Sequence, residues 1–430
     1  MDLTFFPNEI INLIYEFVIF IPKNNEELKL NILNLDYGGH ISNWNTKYIT
    51  CMKCLFQDFV NFDSDISKWN VSNVTNMYSM FSDCRVFDQP LNDWNVNNVK
   101  NMGSVFFNCN NFNQPLNKWN TSNVTKMNLM FCNCSKFNNS IDNWNVTNVT
   151  DMSAMFSSAI NFNKPLNNWN VSNVTDMDNM FYKSYNFNQP LDKWIVSNVI
   201  EMTSTFDNCK AFNQNLNNWN VSNVESMSYM FYNAINFNKP LNTWKVDNVF
   251  FFDGMFNGAI KFNQNINNWN VSKCTYFDDM FKNAIDFNMP LYKWDISNAV
   301  SIKSMFYKAK SFNQYLNNWQ VSNVTKMSYM FYKCENFDQN LHKWNVNNVK
   351  YAHCMFYKCK KNNITLENWN MLNNLKVSTL LNSIKSESDS ESDYNLYLDN
   401  LFIRNELQDS ESEDNDSDTR YTNSLSDSDY

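Results

Sequence analysis

The sequence predicts an α/β solenoid of about 13 coils, each 25 residues long. All 14 Trp lie on one progression with a step of 25 residues and no insertion or deletion, from Trp44 to Trp369. Each repeat unit contains two hydrophobic spacings, one typical of a strand and one typical of a helix. A propeller blade needs roughly 40 residues, so the short period favours a solenoid over a propeller.

The strand of each unit is predicted around its tryptophan. In one unit Leu91, Trp94 and Val96 are apolar and Asn95 separates the last two, which is the alternation of a strand. Six of the eight Pro lie in the column of Pro90, just before this segment, where the missing N–H of proline costs least. We therefore expect the strands of neighbouring coils to pair into a parallel β-sheet on one side.

A short helix is predicted to follow the strand. Val99, Met102, Val105 and Phe106 have the spacing of three and four that is typical of a helix. Between strand and helix stands Asn98, which recurs in the other units, with Lys273 as the exception. We expect this asparagine column to bond its amide groups to the backbone of neighbouring coils.

Two further columns predict a tightly packed interior. The tryptophan rings are expected to stack inside the solenoid, one per coil. A second column exchanges Cys freely with Ala and Ser, which indicates a small buried slot and not a reactive site. Its members are Cys84, Cys109, Cys134, Ala159, Ser184, Cys209, Ala234, Ala259, Ala284, Ala309, Cys334 and Cys359.

The repeated phrase resembles a known family. The segment from Phe162 to Phe181, FNKPLNNWNVSNVTDMDNMF, is similar to the BspA-like leucine-rich repeats of the mycoplasma-lipoprotein type. The match spans residues 41–371, and it implies a leucine-rich-repeat-like arc with the sheet on its inner side. It also implies a binding or adhesion module without catalytic residues. We assign residues 37–371 to the solenoid and residues 372–385 to a C-terminal cap.

Residues 1–36 break the period and contain an apolar pattern typical of an amphipathic helix. One interpretation is a helical cap that seals the N-terminal end of the solenoid. The other is a degenerate F-box, because the phrase beginning at Phe6 resembles the opening of that motif. The F-box resemblance implies docking of a Skp-type adaptor through Pro7, Ile10, Ile14 and Phe17, and one helix is compatible with both roles.

Residues 386–430 are predicted to form a disordered acidic tail, because they hold 14 Asp and Glu against only Arg404 and Arg420. Six serines have an acidic residue three positions later, as an acidophilic kinase resembling casein kinase 2 requires. They are Ser386, Ser388, Ser390, Ser410, Ser424 and Ser426. The simpler interpretation is a tail that only increases solubility.

Composition argues against catalysis and against several classes of ligand. With 3 His, no glycine-rich phosphate loop and no paired acidic groups, we expect neither an enzyme nor a cofactor or metal site. The spacing Cys51-x-x-Cys54 lacks a second pair, and the odd total of 11 Cys indicates reduced thiols in the cytoplasm. A net charge of −9 argues against nucleic acid. The longest apolar run, from Ile10 to Ile21, is too short for membrane insertion and lacks the flanks of a signal peptide.

A protein partner is therefore expected, and departures from the repeat indicate where it binds. The outward column of the predicted strand is mostly Asn, but Ile195, Lys245, Asp295 and Gln320 depart from it. Phe250 and Phe251 replace polar residues and are expected to be exposed, with Phe252 in the methionine column. Simple drift of the repeat is the competing interpretation.

The leading functional hypothesis is a non-catalytic scaffold for protein interactions that binds a macromolecular partner along the solenoid face. If the first helix is an F-box, the protein is a substrate-recognition subunit of a ubiquitin ligase. The alternatives are a surface or adhesive repeat protein and a structural component of a particle.

Overall fold

The computed structural model describes residues 20–33, 41–360 and Trp369. Helix α1 spans Asn25–Leu33, and a short 3-10 helix spans Ile41–Asn43. From there the described chain forms successive 25-residue coils that contain no further helix and no strand longer than one residue. The solenoid is therefore present, but its coils differ in local structure from the predicted strand and helix.

Each coil is built from tandem β-turns. In the coil that begins at Asn76, six turns are closed by a hydrogen bond from the N–H of the fourth residue to the carbonyl of the first, with lengths of 2.9–3.2 Å. These turns begin at Met77, Ser79, Phe81, Cys84, Leu91 and Val96. The prediction of a helix was wrong. The first and fourth residues of a β-turn lie within about 7 Å of each other, so both can face the interior. A row of turns therefore produces the same spacing of three as a helix.

Two residues per coil have positive φ, which a right-handed helix excludes. Ser79 (φ 53°) and Asp83 (φ 62°) are the third residues of the turns that begin at Met77 and Phe81. The second residues of both turns have negative φ, and this combination defines a type II turn. Both positions recur at intervals of 25 residues through Cys354 and Lys358.

Neighbouring coils are joined by parallel backbone pairing. Twelve single-residue bridges link one residue per coil, from Cys51↔Asn76 to Lys326↔Tyr351, and so connect thirteen coils among the described residues. Beyond each bridge the N–H groups of alternate residues donate to the next coil, as Ser79 does to the Gly103 carbonyl at 2.9 Å. We call residues 51–58 and their equivalents at every 25th position the bridge segments, and their outward side chains the bridge face.

The pairing lies where the helix was predicted, so the predicted strand position was also wrong. Trp94 closes one turn and Val96 opens the next, as shown by the bonds Trp94 N–H to Leu91 O and Val99 N–H to Val96 O. The last residue of one turn and the first residue of the next both point inward, with one polar residue between them. This order gives the apolar–polar alternation that resembles a strand. The parallel sheet is thereby reduced to a ladder of single bridges beside the turns.

Stacked aromatic side chains fill the interior. Trp119 and Trp144 lie parallel with ring centroids 6.1 Å apart, and Phe106 and Phe131 at 5.7 Å. Within one coil Phe106 also stacks on Phe112 at 4.1 Å. Aromatic pairs contribute about 0.5–1.5 kcal/mol beyond their area burial, so these columns stabilise every coil junction. The expectation of a buried tryptophan stack is confirmed.

The asparagine column bonds to the neighbouring backbone as predicted. The Asn98 amide Nδ2 donates to the Ser72 carbonyl in the preceding coil at 2.7 Å, and Asn123 donates to Asn97 in the same way. A second asparagine column accepts hydrogen bonds, with Asn138 N–H donating to Asn113 Oδ1 at 2.9 Å. Among the described residues no buried side-chain nitrogen or oxygen lacks a hydrogen-bond partner.

Helix α1 lies against the first coil. Its residues Leu28 and Ile32 are buried in the hydrophobic core. The Asn25 Oδ1 accepts hydrogen bonds from the N–H groups of Thr50 and Cys51 at 3.1 and 3.2 Å. In later coils a backbone carbonyl 25 residues earlier fills this role, as Thr50 O does for Thr75. The helix predicted around residues 10–18 lies outside the described residues.

Candidate functional site

The column that contains Ile195, Lys245, Asp295 and Gln320 is exposed, but it serves local turns and not a strand. In an ordinary coil the asparagine side chain of this column accepts the N–H two residues later, as Asn170 Oδ1 does from Ser172 at 3.2 Å. Asp295 keeps this bond with Ser297 at 3.0 Å. The predicted outward strand column is therefore corrected to a column of turn-stabilising acceptors.

Three of the four departures lose that acceptor arrangement. Ile195 offers no acceptor and leaves 60% of its surface exposed. Lys245 is exposed and carries no acceptor oxygen, and Gln320 donates instead to the Asn318 carbonyl at 3.4 Å. Since these residues share one column in different coils, the structure places them along one line and does not gather them into one site.

Phe250 and Phe251 are exposed, as the sequence predicts. Their exposed fractions are 39% and 43%, and Tyr276 of the next coil is 40% exposed. The rings of Phe251 and Tyr276 stack with centroids 6.3 Å apart. We call Phe250, Phe251 and Tyr276 the aromatic patch. Phe252 fills the methionine column, where it is buried and stacks on Trp269 at 5.8 Å.

Lys273 lies beside the aromatic patch. Its Nζ lies 5.9 Å from the centroid of the Phe250 ring and 2.7 Å from the Asn248 Oδ1, to which it donates a hydrogen bond. Lys273 is the residue that interrupts the asparagine column, so the column that elsewhere bonds to the backbone here supplies a cation. A cation over an aromatic ring contributes about 0.5–1 kcal/mol at exposed sites.

The backbone holds the patch in place from both neighbouring coils. The Phe250 N–H donates to the Glu225 carbonyl of the preceding coil at 2.9 Å, and the Phe250 carbonyl accepts the Thr275 N–H of the following coil at 3.3 Å. Phe251 is also bridged to both Ser226 and Tyr276. The aromatic side chains therefore project from a backbone that is hydrogen-bonded on either side.

Sequence reasoning missed two residues of this site: Tyr276, which belongs to the aromatic patch, and Lys273, which lies beside it. Each stands close to 25 residues from a member of the Phe250 and Phe251 pair, and Tyr276 lies in the same column as Phe251. The signal was the period itself, because two aromatic residues in one column at consecutive coils must be neighbours. Lys245 belongs to the same coil as Phe250, but a turn from Val246 to Val249 separates them.

Three acidic residues of the bridge segments have raised pKa values. Burial, reinforced by the charge of Asp176, raises the pKa of Asp178 to about 7. Burial also raises the pKa of Asp207 to about 7. The pKa of Asp253 rises to about 7 through burial and then the charge of Asp278. These carboxyl groups bond to protein donors, as Asp178 does with the Thr203 N–H at 2.7 Å.

The cysteine column is a set of small buried groups, as predicted. The Sγ of Cys109 donates to the Phe81 carbonyl at 2.9 Å, and Ser184 Oγ makes the equivalent bond to Phe156 at 2.6 Å. Burial raises the pKa of Cys109 well above its usual value. Burial also raises the pKa of Cys54, in the Cys51-x-x-Cys54 spacing. Thiols in this state are poor nucleophiles.

Two further expectations from the sequence concern a metal site and a membrane-spanning segment. Within residues 20–33 and 41–360, no group of three or more His, Cys, Asp or Glu is arranged to hold a metal ion. In the part of the chain that the structure describes, no helix combines the length and hydrophobicity needed to cross a membrane.

The adaptor-binding candidates Pro7, Ile10, Ile14 and Phe17 lie outside the described residues. The six tail serines from Ser386 to Ser426 also lie outside them.

Comparison with known proteins identifies the repeats. A family model described as "Mycoplasma protein of unknown function, DUF285" matches residues 30–131, 104–218, 201–314 and 291–394. The chain belongs to the DUF285 family. The four matches together cover the whole array of bridged coils, so the 25-residue coil of turns is the structural unit of this DUF285 protein. No curated protein matches the chain.

A search of solved structures found a distant similarity to a chain described as "Crystal structure of TLR13-ssRNA13 complex". The identity is 8%, the TM-score is 0.18, and 73% of this chain is covered. The chain spans 62% of the length of that protein.

Proposed function

We propose that this DUF285 protein is a non-catalytic scaffold in the cytoplasm that binds a protein partner through the aromatic patch. The observation that carries the proposal is the exposure of Phe250, Phe251 and Tyr276 next to one another on a hydrogen-bonded backbone. Most other positions of these columns carry polar or charged residues, such as Lys326. Clustered exposed aromatic side chains are typical of binding hot spots.

The geometry of the patch supports a protein partner. The backbone that carries its rings is hydrogen-bonded to both neighbouring coils, so little backbone entropy is lost when the rings are covered. Lys273 adds a cation at the edge of the Phe250 ring. An aromatic centre with a charged rim is the usual composition of an interface hot spot.

The test is the double substitution Phe250→Ser with Phe251→Ser, used as bait beside the natural protein in quantitative affinity purification. The matched control is Tyr292→Ser with Tyr315→Ser, which removes two exposed aromatic side chains elsewhere. We expect at least one captured protein to fall about tenfold with the patch variant and to be unchanged with the control. An identical set of captured proteins from all three baits contradicts the proposal, provided that circular dichroism shows all three folded.

A finer assignment, to a substrate-recognition subunit of a ubiquitin ligase, rests on the sequence of residues 5–18. Its test is Ile10→Asp with Ile14→Asp, which leaves Asn25 and the buried face of helix α1 intact. The control is Leu30→Asp at an exposed position of that helix. Loss of a Skp-type adaptor from the first variant alone supports the assignment, and absence of an adaptor from every bait rejects it.

A further inference from the structure

The charge of the bridge face changes sign along the array. The bridge segments from 151–158 to 276–283 contain eight Asp or Glu and two Lys. The last three, 301–308, 326–333 and 351–358, contain five Lys and no Asp or Glu. Consecutive coils are about 4.8 Å apart where the backbone pairs, so these five cations lie within a short distance of one another. The C-terminal part of the bridge face is therefore strongly basic.

Three tyrosines and three lysines form the centre of this basic region. Tyr307 and Tyr332 stack with ring centroids 4.7 Å apart, and Tyr332 and Tyr357 at 4.8 Å. The Nζ atoms of the lysines that follow them lie 5.1, 5.4 and 5.6 Å from the centroids of these rings, for Lys308, Lys333 and Lys358 respectively. We call these six residues the lysine–tyrosine ladder.

Turn geometry produces this arrangement. Tyr307 and Lys308 are the second and third residues of the turn from Phe306 to Ala309, and Lys308 has positive φ (56°). The Lys308 N–H donates to the Tyr332 carbonyl at 2.7 Å. The same turn repeats in the next two coils, so each lysine Nζ recurs at a similar distance from the ring of the tyrosine before it.

At the N-terminal end the ladder is limited by an ion pair. Lys282 occupies the tyrosine column one coil earlier, and its Nζ lies 3.1 Å from Asp279 Oδ2 and 5.5 Å from the Tyr307 ring centroid. The charge of Lys282 is thus balanced within its own coil. In the next two coils Lys308 and Lys333 have no acidic residue in their bridge segments.

We propose that the lysine–tyrosine ladder binds an acidic segment of a partner protein. Fixed ammonium groups complement carboxylates, and prior ordering of the lysines by the rings lowers the entropy cost of binding. Single-stranded nucleic acid is a poorer fit, because bases need exposed aromatic faces on which to stack. Here the central ring, Tyr332, is stacked between Tyr307 and Tyr357 and is only 6% exposed. The inference rests on the proposed scaffold function but concerns none of the residues of the aromatic patch.

The test measures fluorescence anisotropy of a labelled peptide of alternating Glu and Ser, added to the full chain at low salt. The ladder variant carries Lys308→Gln, Lys333→Gln and Lys358→Gln. The matched control carries Lys68→Gln, Lys193→Gln and Lys343→Gln, an equal loss of charge at exposed positions off the bridge face. We expect the ladder variant to weaken binding about tenfold or more and the control to change it less than about twofold.

Further comparisons separate the alternatives. A peptide with Gln in place of Glu should not bind, and added salt should weaken binding of the acidic one. Equal losses in both lysine variants, or none in either, overturn the proposal. Tighter binding of an oligothymidine through the same lysines, or self-association abolished by their substitution, assigns the surface to another occupant and also overturns it. Peptide binding that survives Phe250→Ser with Phe251→Ser separates this inference from the fate of the aromatic patch.

Discussion

The indole Nε1 of Trp119 donates a hydrogen bond of 2.9 Å to the carbonyl oxygen of Leu91 in the preceding coil. The same bond recurs along the column, for example from Trp194 to Leu166 and from Trp344 to Leu316. Trp119, Trp194 and Trp344 thus each donate to a buried carbonyl at the start of a turn, while the ring of each stacks on the next tryptophan. The constant spacing of tryptophan along this chain therefore reflects two interactions of the same side chain, a hydrogen bond and a ring contact.

Substitution of Trp194 by Phe should therefore destabilise the array. The ring volume is partly kept, but the Leu166 carbonyl loses one of its two donors and keeps only the Trp169 N–H, so we expect a loss of about 1 kcal/mol in the free energy of unfolding. Trp194→Ala, which also opens a cavity, should cost about 3–5 kcal/mol. Urea denaturation followed by circular dichroism measures both. A Trp194→Phe variant as stable as the natural protein contradicts a structural role for the indole bond.

Gly254 has positive φ (55°) and lies against Tyr229 of the preceding coil. A Cβ at position 254 would lie 2.5 Å from the Tyr229 Cδ1, although Ser, Asn and Asp adopt the same φ at this position of other coils. The steric clash therefore outweighs backbone strain. We expect Gly254→Ala to lower stability by about 1–3 kcal/mol. Adding Tyr229→Ala should recover part of the loss in thermal denaturation, and no recovery contradicts the steric explanation.

The cysteine thiols should divide into two classes of reactivity. Eight are buried, and burial raises the pKa of Cys134 and Cys209 well above the usual value. Cys51, Cys54 and Cys354 are half-buried. Brief treatment with a water-soluble maleimide should modify at most these three in the native protein and all 11 after unfolding, as counted by mass spectrometry. Rapid native labelling of the column members would show that the coils open.

Stability should fall as the pH rises from about 4 to about 7. Burial raises the pKa of Asp178, Asp207 and Asp253 to about 7 in the folded chain. The folded state therefore holds protons that the unfolded state has released in this range, and raising the pH removes that stabilisation. Each carboxyl contributes on the order of 1–3 kcal/mol after allowance for partial exposure.

This pH dependence can be assigned to one residue. In urea denaturation at pH 5 and pH 8, Asp253→Asn should reduce the difference in unfolding free energy, because a neutral amide no longer titrates. The control Asp192→Asn removes an exposed carboxyl and should leave the difference unchanged. A difference that persists fully in Asp253→Asn contradicts the contribution of this group.

The candidate site was only partly predictable. Exposure of Phe250 and Phe251 followed from their departure from the repeat, and the structure confirms it. Lys273 and Tyr276 were not recognised as parts of the site, because their contacts with Phe250 and Phe251 cross a coil junction and are not visible within one repeat unit. The lysine–tyrosine ladder was missed for the same reason. Its three tyrosines become neighbours only when consecutive coils are aligned on the 25-residue period.

The sequence alone determined the 25-residue period, the stacked tryptophans, the small slot of Cys109 and the asparagine column of Asn98. These follow from identity at fixed intervals, which places equivalent side chains next to one another in any stacked array. Only the tertiary structure decided that the coil consists of turns. A spacing of three places residues on one side both in a helix and in tandem β-turns. The positive φ of Ser79 and Asp83, which selects the turns, is imposed largely by backbone bonds to the next coil and is carried here by residues other than glycine.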